Sequence, residues 1–209
     1  MADGPILRAN RSNATYSSAM SPSPRLSSPL HDAAVATFRH AALHGLTTFA
    51  PPSVRRLVDL LEGGSGILVA INAEKIARRD PVIAELARRH LGYPDGIGAV
   101  LALRRRGIRA RRMPGADLWL SVIRRYAADR SFYLVGGTDE VIQRVAQKLT
   151  ERHPGLRLRA RSGFLGDGDE ERIEQELRSA RPDFVFVSMK YWAPWAATVY
   201  LSIYIARVG

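Results

Sequence analysis

Three short apolar runs constrain this chain more than any other feature: Ile67-Leu68-Val69-Ala70-Ile71, Phe132-Tyr133-Leu134-Val135 and Phe184–Ser188. A run with no polar alternation is what a strand buried on both faces requires. Helical stretches separate the runs, joined by short connections rich in glycine, proline and aspartate. Helices are expected over 73–90 with a kink at Pro81, over Ala99–Arg106, from Asp117 to about Asp129, up to Arg152, and near 169–180. Further strands are expected at Ala110–Met113 and near Leu156–Ala160. Repeated β-then-α units predict an α/β, Rossmann-like fold, a mainly parallel sheet flanked by helices. Ahead of it, Ala34, Val35, Phe38, Ala41 and Ala42 recur at helical spacing, which predicts a helix stopped by Gly45. A short helix capped by Ser53 follows and ends at Gly63-Gly64.

The two ends read differently. Residues 1–30 are rich in Ser and Pro and poor in apolar side chains, which predicts a disordered arm before a domain at 31–189. Residues 190–209 form an aromatic tail with Trp192, Trp195, Tyr200 and Tyr204. No stretch reaches the ~18–20 uncharged apolar residues of a membrane span, and no secretory leader is visible, so a cytoplasmic protein is expected. With no cysteine, disulfides, thiolate metal sites and a cysteine nucleophile are excluded. Thirty-one basic residues against 20 acidic ones give a net charge of +11, and only Lys75, Lys148 and Lys190 are lysines. Such a field draws a protein towards nucleic acid, an anionic bilayer or diphosphate-bearing ligands. Codon bias in a GC-rich genome accounts for the arginines equally well.

In an open parallel sheet, ligands bind beyond the carboxyl ends of the strands. Asn72, Asp95, Gly115, Asp117, Gly136 and Gly137 all fall at or near such ends. Asp95, in Pro94-Asp95-Gly96-Ile97-Gly98, is open to two readings. It is either the N-cap of the following helix or a general base at the rim of the sheet. Gly136-Gly137-Thr138 suits a phosphate cradle, where glycines admit the ligand and a helix N-terminus offers free amides; it suits a plain tight turn as well. It is neither G-x-G-x-x-G nor a P-loop. Arg112, with Arg109 and Arg111 nearby, is placed to hold a departing diphosphate, and two of the three are expected in solvent. Asp117 reads as the N-cap of its own helix. Asp167-Gly168-Asp169 resembles a metal-chelating pair, but acidic residues in a first helical turn also stabilise the helix dipole. His40 and His44 fall four apart on the expected first helix without a third ligand, so no metal site is predicted.

Taken in order, the motifs form a longer pattern. It runs Ile71-Asn72-Ala73-Glu74-Lys75, Pro94-Asp95-Gly96-Ile97-Gly98, Arg112-Met113-Pro114-Gly115-Ala116-Asp117-Leu118 and Phe132-Tyr133-Leu134-Val135-Gly136-Gly137. His153-Pro154-Gly155-Leu156, Ser162-Gly163-Phe164 and Arg181-Pro182-Asp183-Phe184-Val185-Phe186-Val187 follow. Over residues 66–189 this closely resembles the WecG/TagA/CpsF family of bacterial glycosyltransferases. The resemblance implies an inverting, metal-independent transfer of a hexose from a UDP-sugar, with no cofactor. The acceptor it implies is a sugar on a polyprenyl diphosphate, reached at the inner face of the cytoplasmic membrane. It makes Asp95 the catalytic base and sets Asn72, Arg112, Gly115, Asp117, Gly136, Gly137 and Gly163 around the substrates.

The arginine-rich composition and long polar arm look most like the β-1,4-glucosyltransferases of xanthan-type exopolysaccharide synthesis, with N-acetylmannosaminyl transfer the alternative. Two departures stand out. Ala70 replaces a threonine frequent two residues before the motif asparagine, and the resemblance stops after Met189, before the family's Gly-x-Pro-Lys-Gln-Glu loop. For the tail, an out-of-frame sequence in a shortened, inactive form is the first expectation, an added strand over Thr198–Ile205 the second and an interfacial anchor the third. Outside the enzymes, a basic nucleic-acid-binding module would want aromatics among the arginines or a helix-turn-helix. Neither is visible, so no nucleic-acid partner is expected. A Rossmann oxidoreductase would want the glycine fingerprint.

Overall fold

The computed structural model describes residues 27–62, 64–164, 169–189 and 202–207. The first described element is α1 (Pro29–Thr37), capped by the Ser28 hydroxyl, which accepts from the His31 amide at 3.2 Å. Leu30 is fully buried, so the end of the segment read as an arm packs into the domain. The expected first helix ends at Thr37 rather than at Gly45. Residues beyond it form a hairpin, β1 (His40–Leu43) and β2 (Leu46–Phe49), closed by His44 and Gly45 with φ of 49° and 88°. Two consecutive positive φ angles make the tight turn that matches the twist of paired strands. His40 and His44 therefore do not share a helix face.

Helix α2 (Val54–Leu60) is capped by Ser53 as expected, its hydroxyl accepting from the Arg56 amide. Strand β3 (Gly66–Ile71) leads to α3 (Ala73–Arg78) and α4 (Pro81–Arg89). Pro81 starts a helix rather than kinking one. Arg79 turns left-handed at φ 53°, and the Asp80 carboxylate accepts from the Val82 and Ile83 amides, so proline occupies the first helical position where its missing N–H costs nothing. Next come β4 (Leu91–Pro94), α5 (Ile97–Arg105) and α6 (Gly115–Tyr126). The second half runs β5 (Ser131–Gly136), α7 (Asp139–Arg152), β6 (Arg157–Arg161), α8 (Asp169–Ala180) and β7 (Phe184–Met189), and a last strand, β8, spans Ser202–Arg207.

The main sheet has the order β4-β3-β8-β7-β5-β6. The β3–β4, β5–β6 and β5–β7 pairs are parallel, whereas β8 runs antiparallel between β3 and β7. Of the three readings of the tail, the added strand is the one found over residues 202–207; Trp192, Trp195 and Tyr200 lie outside the described residues. The expected strand at Ala110–Met113 is absent from the sheet. Its alternation of exposed arginines with buried Ala110 is strand-like, but among the described residues the segment makes a single backbone bond there, from the Met113 amide to the Pro94 carbonyl at 2.8 Å.

Both faces of the sheet are covered, as the uninterrupted apolar runs require. Leu68 and Ala70 of β3, with Phe132, Leu134, Phe184 and Phe186, pack under α1, α2, α6 and α7. Val69 and Ile71 point the other way, towards Ala87 of α4 and Ala99 of α5, while Tyr133, Val135 and Val185 meet α8. The chain thus leaves β3 towards one edge over one face, and leaves β5 towards the other edge over the opposite face. Between those departures lies the switch point at which open α/β sheets form a crevice.

A candidate active site on the carboxyl edge of the sheet

Ile71 and Pro94 are partners at the ends of β3 and β4, so Asn72 and Asp95 emerge side by side on the same rim. Asn72 caps α3, its Oδ1 accepting from the Lys75 amide at 3.0 Å. The Asp95 amide continues the ladder by donating to the Ile71 carbonyl at 3.0 Å. Its carboxylate does not cap α5, whose N-cap is Gly96 with no side-chain bond. Oδ1 instead accepts from the Gly115 amide at 2.7 Å, at the start of a different helix. Helix α6 begins at Pro114 with no cap of its own, so a carboxylate from twenty residues upstream supplies the missing acceptor at its positive end. That bond fixes one oxygen of Asp95. Among the described residues, no hydrogen bond reaches Oδ2.

Arg112 completes this corner. Its Nε donates to the Asp95 carbonyl at 3.3 Å while the rest of the guanidinium is exposed beside the rim. Arg109 and Arg111 are exposed as expected. Gly115 is buried against Asp95. Asp117 is not an N-cap: it sits exposed in the first turn of α6, with its amide donating to the Pro114 carbonyl.

The motif asparagine has a neighbour that spacing arguments overlooked. Lys75, one turn along α3, is 7% exposed, and its Nζ donates to the Ala70 carbonyl at 2.8 Å. Burial pushes its pKa below the ordinary lysine value, while the nearby carboxylates of Asp95 and Glu74 pull it back up. A signal was available, since Lys75 is one of three lysines in a chain that otherwise uses arginine.

The second group of residues lies on the far side of β8. Gly136 ends β5, and a Cβ there would come within 2.2 Å of the Ser188 carbonyl oxygen of β7. Gly163 follows β6, donates to the Gly137 carbonyl at 2.9 Å, and would place a Cβ 2.8 Å from the Gly136 Cα. Ser162 Oγ also donates to that carbonyl at 3.2 Å. Three chain segments therefore meet backbone to backbone, and α7 opens directly behind them with Thr138 as its cap. Gly136, Gly137 and Gly163 are brought together; Asn72, Asp95, Arg112 and Gly115 form the other cluster. Along the rim Asn72 stands three interstrand steps, about 14 Å, from Gly136, and Asp95 stands four, about 19 Å.

Of the Asp167-Gly168-Asp169 motif, only Asp169 is described. It begins α8 and pairs with Arg161 and Arg172, the helix-terminus role. Among the described residues, no group of three His, Asp or Glu side chains is gathered in one place, and no helix is long and apolar enough to cross a membrane.

Residues 43–191 match the family model of the WecG/TagA/CpsF glycosyl transferases. The chain belongs to that family. The match ends close to Met189, where the motif pattern also stops. Among similar proteins are the N-acetylglucosaminyldiphosphoundecaprenol N-acetyl-beta-D-mannosaminyltransferases of Staphylococcus aureus strains NCTC 8325 / PS 47, COL and MRSA252. Each is 26% identical over 129 residues, covering 56% of this chain and 50% of the relative. The chain spans about half the length of the curated relatives it matches. Their name specifies N-acetylmannosaminyl transfer, not the glucosyl transfer that the composition suggested.

Proposed function

We propose that this glycosyltransferase moves an N-acetylmannosaminyl group from its UDP donor to a hydroxyl of N-acetylglucosamine on a polyprenyl diphosphate, with inversion at the anomeric carbon. The observation that carries the reading is the setting of Asp95. Its carboxylate stands on the sheet rim at the end of the edge strand β4, beside Asn72, is oriented by the Gly115 amide, and makes no hydrogen bond through its second oxygen among the described residues. A base must be held in position and must have a lone pair facing the reactant. In this reading Asp95 takes the proton of the acceptor hydroxyl. The oxygen then attacks the anomeric carbon from the face opposite UDP, and the bond to the diphosphate breaks with its electrons leaving on UDP. Arg112 is placed to offset the charge that develops there. The Gly136-Gly137 turn, backed by the first turn of α7, takes the nucleoside end of the donor, beyond the diphosphate that Arg112 meets. The choice of N-acetylmannosamine over glucose rests on the Staphylococcus aureus relatives.

The test offers the full chain radiolabelled UDP-N-acetylmannosamine, UDP-N-acetylglucosamine or UDP-glucose with a synthetic polyprenyl-diphosphate N-acetylglucosamine. Transfer of N-acetylmannosamine, abolished by Asp95→Asn, is the expected result. Preferential transfer of glucose would restore the glucosyl reading. Full activity of the Asp95→Asn enzyme would remove Asp95 from catalysis.

A further inference from the structure

The chain's positive charge is concentrated. Between Asp95 and Asp117 there is no acidic residue, yet six arginines stand at positions 104, 105, 106, 109, 111 and 112. All six are exposed, and among the described residues none makes an ion pair. Several arginines elsewhere are matched, Arg88 and Arg89 with Glu85, Arg125 with Asp59 and Glu62, Arg144 with Glu140 and Arg178 with Glu174; others, such as Arg39, Arg56, Arg124 and Arg159, also make no ion pair among the described residues, but none of those stands in so dense a run. The polar contacts of the six run to backbone carbonyls, Arg104 to Ala110 and Arg112 to Asp95.

The same element carries exposed apolar side chains. Helix α5 buries Ala99, Val100 and Leu103, and leaves Ile97 60% and Leu101 46% exposed. Ile97, Leu101 and Arg105 follow at i, i+4 and i+8, one stripe along the outer face. At its end Gly107, with φ of 72°, reverses the chain, and the Ile108 amide donates back to the Leu103 carbonyl at 3.0 Å. The reversal returns Arg109, Arg111 and Arg112 towards Asp95. Beside Arg106 an open cleft of about 740 Å³, lined also by Val35, Phe38, Arg39, His40 and Ile108, extends this basic and apolar face to α1.

We infer that the outer face of α5 and the arginine segment behind it dock on an anionic phospholipid surface, with the apolar stripe in the interface and the guanidinium groups among the headgroup phosphates. Nucleic acid fits less well. It would draw on the arginines, but it gives Ile97 and Leu101 nothing to enter, and no aromatic side chain is interleaved among residues 96–116. The arrangement rests on the proposal that the acceptor is lipid-linked. It sets Asp95, two residues before the stripe begins, at the level where a lipid-borne diphosphate leaves the bilayer.

The test is co-sedimentation of the full chain with vesicles of phosphatidylcholine alone or mixed with phosphatidylglycerol, at physiological ionic strength. Binding to the mixed vesicles only is expected. Arg105→Glu with Arg106→Glu should lower it at least about tenfold, and Leu101→Ser should lower it several-fold at constant charge. Arg144→Glu with Arg152→Glu on α7 makes the same charge change elsewhere and should cost far less. Where the Arg105 and Arg106 double variant fails a thermal-unfolding check, Arg105→Gln with Arg106→Gln replaces it. Equal binding to neutral vesicles, an equal loss from the α7 control, or displacement of the vesicles by single-stranded RNA while Leu101→Ser binds normally would each overturn the inference; the last outcome would make the face a nucleic-acid site. Transfer to a short-chain, water-soluble acceptor separates the two proposals. It should survive the Arg105 and Arg106 changes, and its absence from the unaltered protein would sink the proposed reaction while leaving the vesicle result standing.

Discussion

The two ends of the sheet rim solve different problems with different materials. At β3 and β4 the rim is built from side chains: a carboxylate fixed by a helix amide, a capping asparagine, a buried lysine and a guanidinium. At β5, β6 and β7 it is built from backbone, with Gly136, Gly163 and Ser188 in contact without intervening side chains. Proton transfer needs a titratable group in one orientation, whereas a backbone cluster before a helix N-terminus offers only amides to the nucleotide. Substitutions should therefore fail differently at the two ends, in rate at the first and in affinity or folding at the second.

The largest contrast is expected from Asp95→Asn. The amide retains an oxygen for the Gly115 N–H, so the fold should stand while transfer falls by about 10²–10⁴-fold. Steady-state rates alongside UDP calorimetry read both quantities, and a matching loss of UDP affinity would erase the division between the ends. Arg112→Ala should lower kcat by about 10–100-fold with a small change in the Michaelis constant for donor. Gly136→Ala should act the opposite way. A Cβ 2.2 Å from the Ser188 carbonyl must push β5 and β7 apart, costing about 1–3 kcal/mol of stability and weakening UDP binding, visible in thermal melts and calorimetry.

Lys75→Met should give the smallest effect, a change in stability that varies with pH. Burial holds the folded-state pKa of Lys75 below 10.5. Below that folded value both states carry the proton and the cost of burying charge is fully present. Between it and 10.5 the unfolded chain alone stays protonated, so stability rises with pH. The difference in melting temperature between Lys75→Met and the parent should shrink across that window, and a difference independent of pH would contradict a buried charged lysine.

Legibility in the sequence followed the length of the signal. The runs at 67–71, 132–135 and 184–188 became buried strands, because four or five consecutive apolar residues have few other ways to leave water. Strand β4 escaped notice. It has four residues, of which Gly92 and Pro94 are poor strand formers, and Gly92 is there because a Cβ would sit 2.2 Å from the Thr47 carbonyl of β2. The hairpin at 40–49 was hidden by the helical spacing of Ala34 through Ala42, which stops mattering once His44 and Gly45 turn left-handed. Among the site residues, the positions of Asn72 and Gly136 followed from strand ends and that of Asp95 from the turn that opens α5, while Lys75 needed its burial to become visible.

The amino-acid order alone determined the layered fold, since apolar runs act within a few residues of themselves, and its ordered motifs carried the family resemblance that nominated Asp95 as a candidate base. Only the tertiary structure decided which helix the Asp95 carboxylate faces, that β8 fits antiparallel between β3 and β7, and that the arginines of residues 104–112 make no ion pair among the described residues. Each of those outcomes joins segments far apart in the chain, and local propensity carries no information about such encounters.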